Sequence, residues 1–354
     1  MAKRTTDQFE LTFSRGTGNN LGKAKNVKTN WGKYRDQFRE PHVTAELYAQ
    51  YSKYNDQQQR EAKSAAGWSM RTAISKGENR NRRSPLPGNL ITLDIDYPDQ
   101  EFIDALHRGD LLPGYTLFAH TTRSHTPESP RYRIHILLGS ACHRDQYNAL
   151  SRIVAEKLDP DLKWTDKVSF RPAQMMFYPT VSKGMEKHYD FYEQDGDALD
   201  PGEVIEEWEM DTGLDHNNVA HLPTTHDEGQ LRETAEKAED PLEKKGPIGD
   251  WCRAFSVTDL VDGIDGEKGI LSDYYTATEY ANGVITRMTY NHGSTSNGAV
   301  VYEDKFVYSH HGSDPVQEQL VNAYDLARIH MFSDEDANLD PDTPLSQLKS
   351  TKAM

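Results

Sequence analysis

Apolar and polar positions alternate most regularly between residues 88 and 180. Leu90-Ile91-Thr92-Leu93-Asp94-Ile95-Asp96 is an apolar run broken by two carboxylates. As a strand it puts Ile91, Leu93 and Ile95 on one face and Thr92, Asp94 and Asp96 on the other. Tyr97-Pro98-Asp99 ends it, and Asp99 caps a helix predicted from about Gln100 to Arg108. Tyr115 to Thr121 predicts a second strand and Ser124 to Pro130 a loop. Tyr132 to Leu138 predicts a third strand, with Arg131, Arg133, His135 and Leu137 sharing a face. A helix follows from about Arg144 to Leu158, then a polar loop, then a fourth apolar stretch from Ala173 to Tyr178, closed by Pro179. The order β-α-β-β-α-β predicts an α+β fold with a ferredoxin-like or RNA-recognition-type antiparallel sheet and helices on one face. Its open face gathers Asp94, Asp96, Arg133 and His135.

The pattern is weaker on either side. Residues 8–40 mix short apolar stretches with basic, Gly- and Asn-rich turns. Residues 43–66 place Val43, Leu47, Tyr48, Tyr51 and Tyr54 at helical spacing with Thr44 as cap, and core packing is the preferred reading of those tyrosines. Residues 191–240 hold 16 acidic against 2 basic residues, so 191–245 reads as a partly ordered acidic linker. Residues 246–333 carry a second apolar pattern, read as a small, mainly helical α+β accessory module. It has a helix around Ser256 to Asp262, a hairpin joining Ala299–Tyr302 to Phe306–Tyr308, and a helix near Val316 to Met331. The acidic, Pro-bearing tail from 334 to 354 reads as a cut through a longer polypeptide. The first 190 residues thus form one predicted domain, with a basic part over 1–89 and a sheet over 90–190.

Composition changes this picture in one place. The chain carries a net charge of −16 over 354 residues, yet residues 1–90 hold 17 Lys and Arg against 8 Asp and Glu. Local charge sets the field a phosphate backbone meets, so the basic first quarter admits a nucleic acid partner that the total charge argues against. Two cysteines, Cys142 and Cys252, supply neither a disulfide framework nor a four-cysteine zinc module. No apolar run reaches the length of a membrane span, and Met1 to Thr6 is not a secretory signal. A cytoplasmic protein is expected, with no membrane partner.

Two carboxylates side by side on a strand call for a cation. Transfer of a nucleotidyl group needs acids from more than one element, plus cationic groups for the phosphates. Asp94 and Asp96 supply the first pair, and Asp166, just before the fourth stretch, is a third acid within reach of the same face. His135, with Arg131, Arg133, Lys167 and Arg171, is placed to hold a triphosphate. Each residue has a plain alternative: one exposed face of an edge strand for Asp94 and Asp96, a turn cap for Asp166, a satisfied core histidine for His135, and surface cations for Arg133 and Arg171. Gly16 to Lys23 lacks the ending of a phosphate loop and reads as a flexible basic loop. The basic turn Lys76–Pro85, with Arg80, Arg82 and Arg83, is a candidate grip on DNA phosphates or a solvated face. His310-His311 points to opposite faces of a strand, which suits neither zinc nor a His-x-His nickase.

At LITLDIDYPD, TTRSHTPESPRYRIHILL and TDKVSFRPAQMMFYPT the chain resembles the archaeo-eukaryotic primase superfamily. More narrowly it resembles the primase-polymerase module at the N-terminus of phage and mobile-element replication proteins of the virulence-associated E type. The resemblance extends more weakly into GPIGDWCRAFSV and GAVVYEDKFVYSHHGSDP. It implies a template-directed DNA primase or DNA polymerase in a bacterial host cell, using Mg²⁺ or Mn²⁺ at a two-metal site and no zinc. It places the metal on Asp94, Asp96 and Asp166 and the second motif on His135. That motif expects Ser where Arg133 stands, which makes His125 a rival and a further candidate DNA contact. Single-stranded template, primer, NTP or dNTP and a helicase are the implied partners; no helicase phosphate loop occurs in the chain. Two other readings of the acids are a non-catalytic nucleic-acid-binding replication module and an Asp-x-Asp glycosyltransferase.

Overall fold

The computed structural model describes residues 5–17, 24–76, 84–229, 234–235, 238–336 and 344–354. They divide into two units, one of residues 1–214 with 223–226 and one of 215–222 with 227–354. The strands of the first unit are β1 (Glu10–Gly16), β2 (Lys25–Asn30), β3 (His42–Leu47), β4 (Trp68–Met70), β5 (Gly88–Asp96), β6 (Leu117–Thr121), β7 (Arg131–Cys142), β8 (Met175–Phe177), β9 (Thr180–Lys183) and β10 (Phe191–Gln194). Its helices are α1 (Trp31–Arg35), α2 (Tyr48–Tyr51), α3 (Asp56–Lys63), α4 (Gln100–Arg108), α5 (Arg144–Leu158) and α6 (Pro201–Thr212).

The aspartate strand is β5, and its partner is the histidine strand β7, antiparallel, with Thr92 opposite His135, Asp94 opposite Arg133 and Asp96 opposite Arg131. On the other side of β7, β6 sets Phe118 against His135 and His120 against Arg133. These pairings align one face of three strands, as the alternation predicts. The opposite face, with Ile91, Leu93, Ile95, Ile134 and Ile136, is fully buried, and each such side chain contributes roughly 1.5–3 kcal/mol of apolar burial. Asp99 caps α4 by accepting from Phe102 N, and α5 spans the predicted residues and packs on β5.

Three expectations change. The fourth strand of this sheet is β10, giving the order β10-β6-β7-β5. The apolar stretch 173–178 instead yields β8, which pairs with β4 in a second sheet of order β2-β1-β4-β8, because Met175 and Phe177 pack against Trp68 and Met70. The acidic segment begins ordered: Phe191 packs with the core of the first unit, and α6 buries Val204, Ile205 and Trp208 behind the Asp200 cap. Residues 43–66 are not one helix. His42–Leu47 pairs in parallel with β9, Thr44 donates to Val181 O, and a new helix starts at the Asn55 cap.

The free edge of β5 is lined by a three-residue strap. Asp96 N donates to Trp164 O at 2.7 Å, Asp166 N donates to Asp94 O at 2.9 Å, and Thr165 bridges Ile95. Nor is the acid-bearing face of the sheet open along its length. Trp31, Tyr34 and Phe38 cover Leu90, Phe118 and Leu137 in one aromatic core, so only the end carrying the aspartates stays accessible.

The second unit is built on a five-stranded antiparallel sheet in sequence order, β11 (Tyr275–Ala281), β12 (Val284–Tyr290), β13 (Ala299–Tyr302), β14 (Phe306–Ser309) and β15 (Leu320–Asn322). Helices Pro247–Ala254, Val257–Asp262 and Ala323–Phe332 share its core. The predicted hairpin is present, turning through Glu303 and Asp304 at positive φ. The module is α+β, with the sheet and not the helices dominant, and the helix expected near Val316 to Met331 starts only at the Asn322 cap, after β15. His311 is fully buried, its Nε2 accepting from Tyr290 N and Gly298 N, both at 3.1 Å.

Asp314 and His330 form a buried pair at 3.2 Å, and Tyr275 Oη donates to Asp314 at 2.7 Å. Burial alone would push Asp314 up, but His330, Ser309 and Val316 N outweigh it and hold the carboxyl below its usual value. A depressed carboxyl contributes stability that is present above the unfolded-state value and lost as pH falls through the folded one. Hydrogen-exchange protection of β11 to β15 is therefore expected to fall on acidification below about pH 4, and to fall less steeply in Asp314→Asn.

Candidate active site

Asp94, Asp96 and Asp166 line one cleft of about 250 Å³, together with Lys63, Arg123, Arg131, Arg133 and His120, and with Met175, Phe177 and Pro179 as an apolar wall. Strand alternation brings Asp94 and Asp96 to it from β5, and the strap brings Asp166. Arg133 grips Asp94 with two bonds, Nε to Oδ1 at 2.6 Å and Nη2 to Oδ2 at 3.2 Å, and its Nη1 donates to Phe177 O at 2.8 Å. Arg131 Nη1 donates to Asp96 at 2.8 Å. Its guanidinium lies over the Tyr97 ring, at a residue with φ of +59°. Ser169 Oγ accepts from Asp94 N at 2.8 Å, and Asp166 accepts from Val168 N at 3.0 Å, so both carry their backbone support with them.

Burial pushes Asp96 up, Arg131 opposes it, and the charges of Asp94 and Asp166 add to it. Asp166 is likewise raised by burial and by Asp94, against the pull of Val168 N, Arg171 and Lys167. Lys63 is pushed down by burial and by Arg131. Carboxylates that desolvate and repel one another suit a hard divalent cation, but with Arg133 on Asp94 and Arg131 on Asp96 the oxygens of the three do not all lie within 4.8 Å of one another, so a cation would have to displace those arginines. Asp94, Asp96 and Asp166 are the residues that would hold it.

The cleft departs from expectation at the second motif. His135 faces the predicted way but is fully buried, stacked on Phe118 at 4.4 Å and 10°, with Nδ1 3.2 Å from Tyr34 Oη. Burial, then His120 and Arg133, hold it well below its ordinary value, hence neutral. The structure places His135 in the aromatic core, apart from the residues that line the cleft. Its neighbour His120 lines the cleft instead. Its Nδ1 lies 2.9 Å from Thr121 O, and burial, with Arg133, pushes it down to about 3. The charges of Lys167 and Arg171 pull Asp166 down without either residue lining the cleft. His125 faces an adjoining small chamber, where its Nδ1 accepts from Arg131 N at 3.1 Å. Arg80, Arg82 and Arg83 lie outside the described residues.

Arg123 is the main residue that sequence reading missed. It is 7% exposed, pairs with Glu46 through Nη2, and lies over the Tyr51 ring at 4.5 Å. Its Nε and Nη1 are buried with no partner among the described residues. The sequence places it in a turn, and nothing local ties it to a residue 77 positions away.

The fold and cleft define a mixed α/β protein with a three-carboxylate cleft on an antiparallel sheet. The family model for the VapE N-terminal domain matches residues 2–217, and the chain belongs to that family. Among solved structures it is similar to the AEP domain of the cyanophage S-2L primase-polymerase, at 11% identity over 55% of this chain and 88% of that one, TM-score 0.32. It is also similar to the polymerase domain of Mycobacterium tuberculosis ligase D in complex with DNA, at 12% identity over 49% and 69%, TM-score 0.24. The primase RepB′ gives 10% identity over 72% and 70%, TM-score 0.28. No curated protein matches the chain. Among the described residues no helix is long and apolar enough to cross a membrane.

Proposed function

We propose that the chain is a metal-dependent, template-directed nucleotidyltransferase, a primase-polymerase of DNA replication. The observation that carries this is the convergence of three carboxylates from two elements with four cations in one cleft. Bound divalent metal would supply charge neutralisation and a polarised nucleophile. The chain's own residues do the rest. The apolar wall of Met175 and Phe177 borders the acids and offers a surface to a base, while Arg123, its Nε and Nη1 buried without a partner among the described residues, brings a guanidinium to the cleft for phosphate oxygens that reach it. Arg131 and Arg133 hold the carboxylates in place and add positive charge for a triphosphate. The basic composition of residues 1–90 supports a nucleic acid partner.

Incubation with a single-stranded template, Mg²⁺ or Mn²⁺ and labelled nucleotides, with and without primer, tests it: products are expected, and their absence from folded protein sinks the reading. Arg123→Lys keeps a charge for Glu46 but loses the planar fork. It is expected to weaken nucleoside triphosphate binding about tenfold, on the scale of one charge-assisted hydrogen bond, with the monophosphate unaffected; calorimetric titration checks this. A second reading, DNA binding without catalysis, has one observation in its favour, since Arg133 and Arg131 already pair with Asp94 and Asp96. It predicts salt-sensitive DNA binding and no incorporation.

A further inference from the structure

We infer that Asp159 is a positioning residue that sets the place of the third carboxylate, a role that rests on the metal-dependent reading of the cleft. Asp159 is 1% exposed and stands at the C-terminal end of α5. A negative charge there opposes the helix dipole, so helix stability does not account for it. Its carboxylate instead collects four donors from one turn. Oδ1 accepts from Lys163 N at 3.0 Å, and Oδ2 accepts from Trp164 N at 2.7 Å, Thr165 N at 3.0 Å and Thr165 Oγ1 at 3.0 Å.

The turn so gathered runs through Leu162, at φ +46°, and delivers the strap to the edge of β5. There the strap makes only two backbone bonds, one with each aspartate residue of the strand. Register over so short a pairing rests on contacts outside it, Ser169 Oγ on Asp94 N being one. A slip of one residue would turn Asp166 to the opposite face of the sheet. Asp159 pins Thr165, the middle residue, by both its amide and its hydroxyl, and so fixes the register from outside the sheet. Phe102 of α4 adds an edge contact to Trp164 at 5.4 Å. Asp159 does not line the cleft; it acts through Asp166.

The test uses the full chain, with Mn²⁺ binding followed by electron paramagnetic resonance, the melting temperature, and turnover as a function of Mn²⁺. Asp159→Asn puts an NH₂ group where donors converge. It is expected to weaken Mn²⁺ binding about tenfold, the scale of changes one shell out from a metal, and to raise the Mn²⁺ needed for half-maximal turnover by the same factor. Affinity for single-stranded DNA stays unchanged, and high Mn²⁺ restores turnover in Asp159→Asn but not in Asp166→Asn. Thr165→Val removes only the hydroxyl bond and is expected to shift Mn²⁺ affinity about threefold, as loss of one neutral hydrogen bond does; it decides the matter if Asp159→Asn fails to fold. Unchanged Mn²⁺ affinity in whichever variant folds overturns the inference and leaves Asp159 a fold residue. A wild-type chain that binds no Mn²⁺ overturns the reading of the cleft itself.

Discussion

Replacing both strand aspartates, Asp94→Asn with Asp96→Asn, is expected to lower metal-dependent nucleotide incorporation by more than about a hundredfold, beyond what changes around a metal's ligands cost. Asparagine is the informative choice. Arg133 is 8% exposed and bonds both oxygens of Asp94, and an alanine there would strand a buried guanidinium at a cost of roughly 3–5 kcal/mol. The amide keeps one acceptor for each arginine while removing the charge a divalent cation needs. Incorporation of labelled nucleotides, read beside the melting temperature and Mn²⁺ binding, separates lost chemistry from lost fold. Equal products from wild type and the double variant would remove the acids from the reaction.

Phe118→Ala is expected to be strongly damaging to the first unit, costing about 3–5 kcal/mol. Phe118 is fully buried and meets five rings, His135 at 4.4 Å, Phe38 at 5.2 Å, Trp31 at 5.3 Å, Phe191 at 5.8 Å and Tyr34 at 6.1 Å. It therefore joins the N-terminal aromatic layer to three strands of the acid-bearing sheet. Truncation opens a cavity between groups that are far apart in sequence and cannot collapse together locally. Denaturant unfolding of the variant checks this. A loss below about 1 kcal/mol, the level of a tolerated volume-conserving swap, would mean that the aromatic layer is not what anchors the sheet.

The strand at 90–96, the faces of its aspartates and of His135, and the helices at 100–108 and 144–158 were legible because each depends on local periodicity and local caps. Pairing choices were not. Ala173 to Tyr178 is more apolar than Phe191 to Gln194, so pattern selects it as the fourth strand; its pairing with β4 depends on Trp68 and Met70, about a hundred residues earlier. His135 shows the same limit from another side. Alternation fixes its face, but only the placement of Tyr34 and Phe38 decides that this part of the face is core. Arg123 could not be found locally, since its partner Glu46 lies on a strand the helical spacing misassigned and its platform Tyr51 on the short helix after it. Asp166 was reachable by order alone, whereas the carboxylate of Asp159 that holds its strap looked like one more acid in a polar loop.

The most direct measurement is primer extension by the full chain in Mn²⁺ on a template whose sequence dictates the order of added nucleotides. Products whose sequence follows the template, and which disappear in Asp94→Asn/Asp96→Asn, are the result that the proposed template-directed transfer predicts. Folded, Mn²⁺-binding protein that adds nothing, or adds nucleotides without regard to the template, would contradict it.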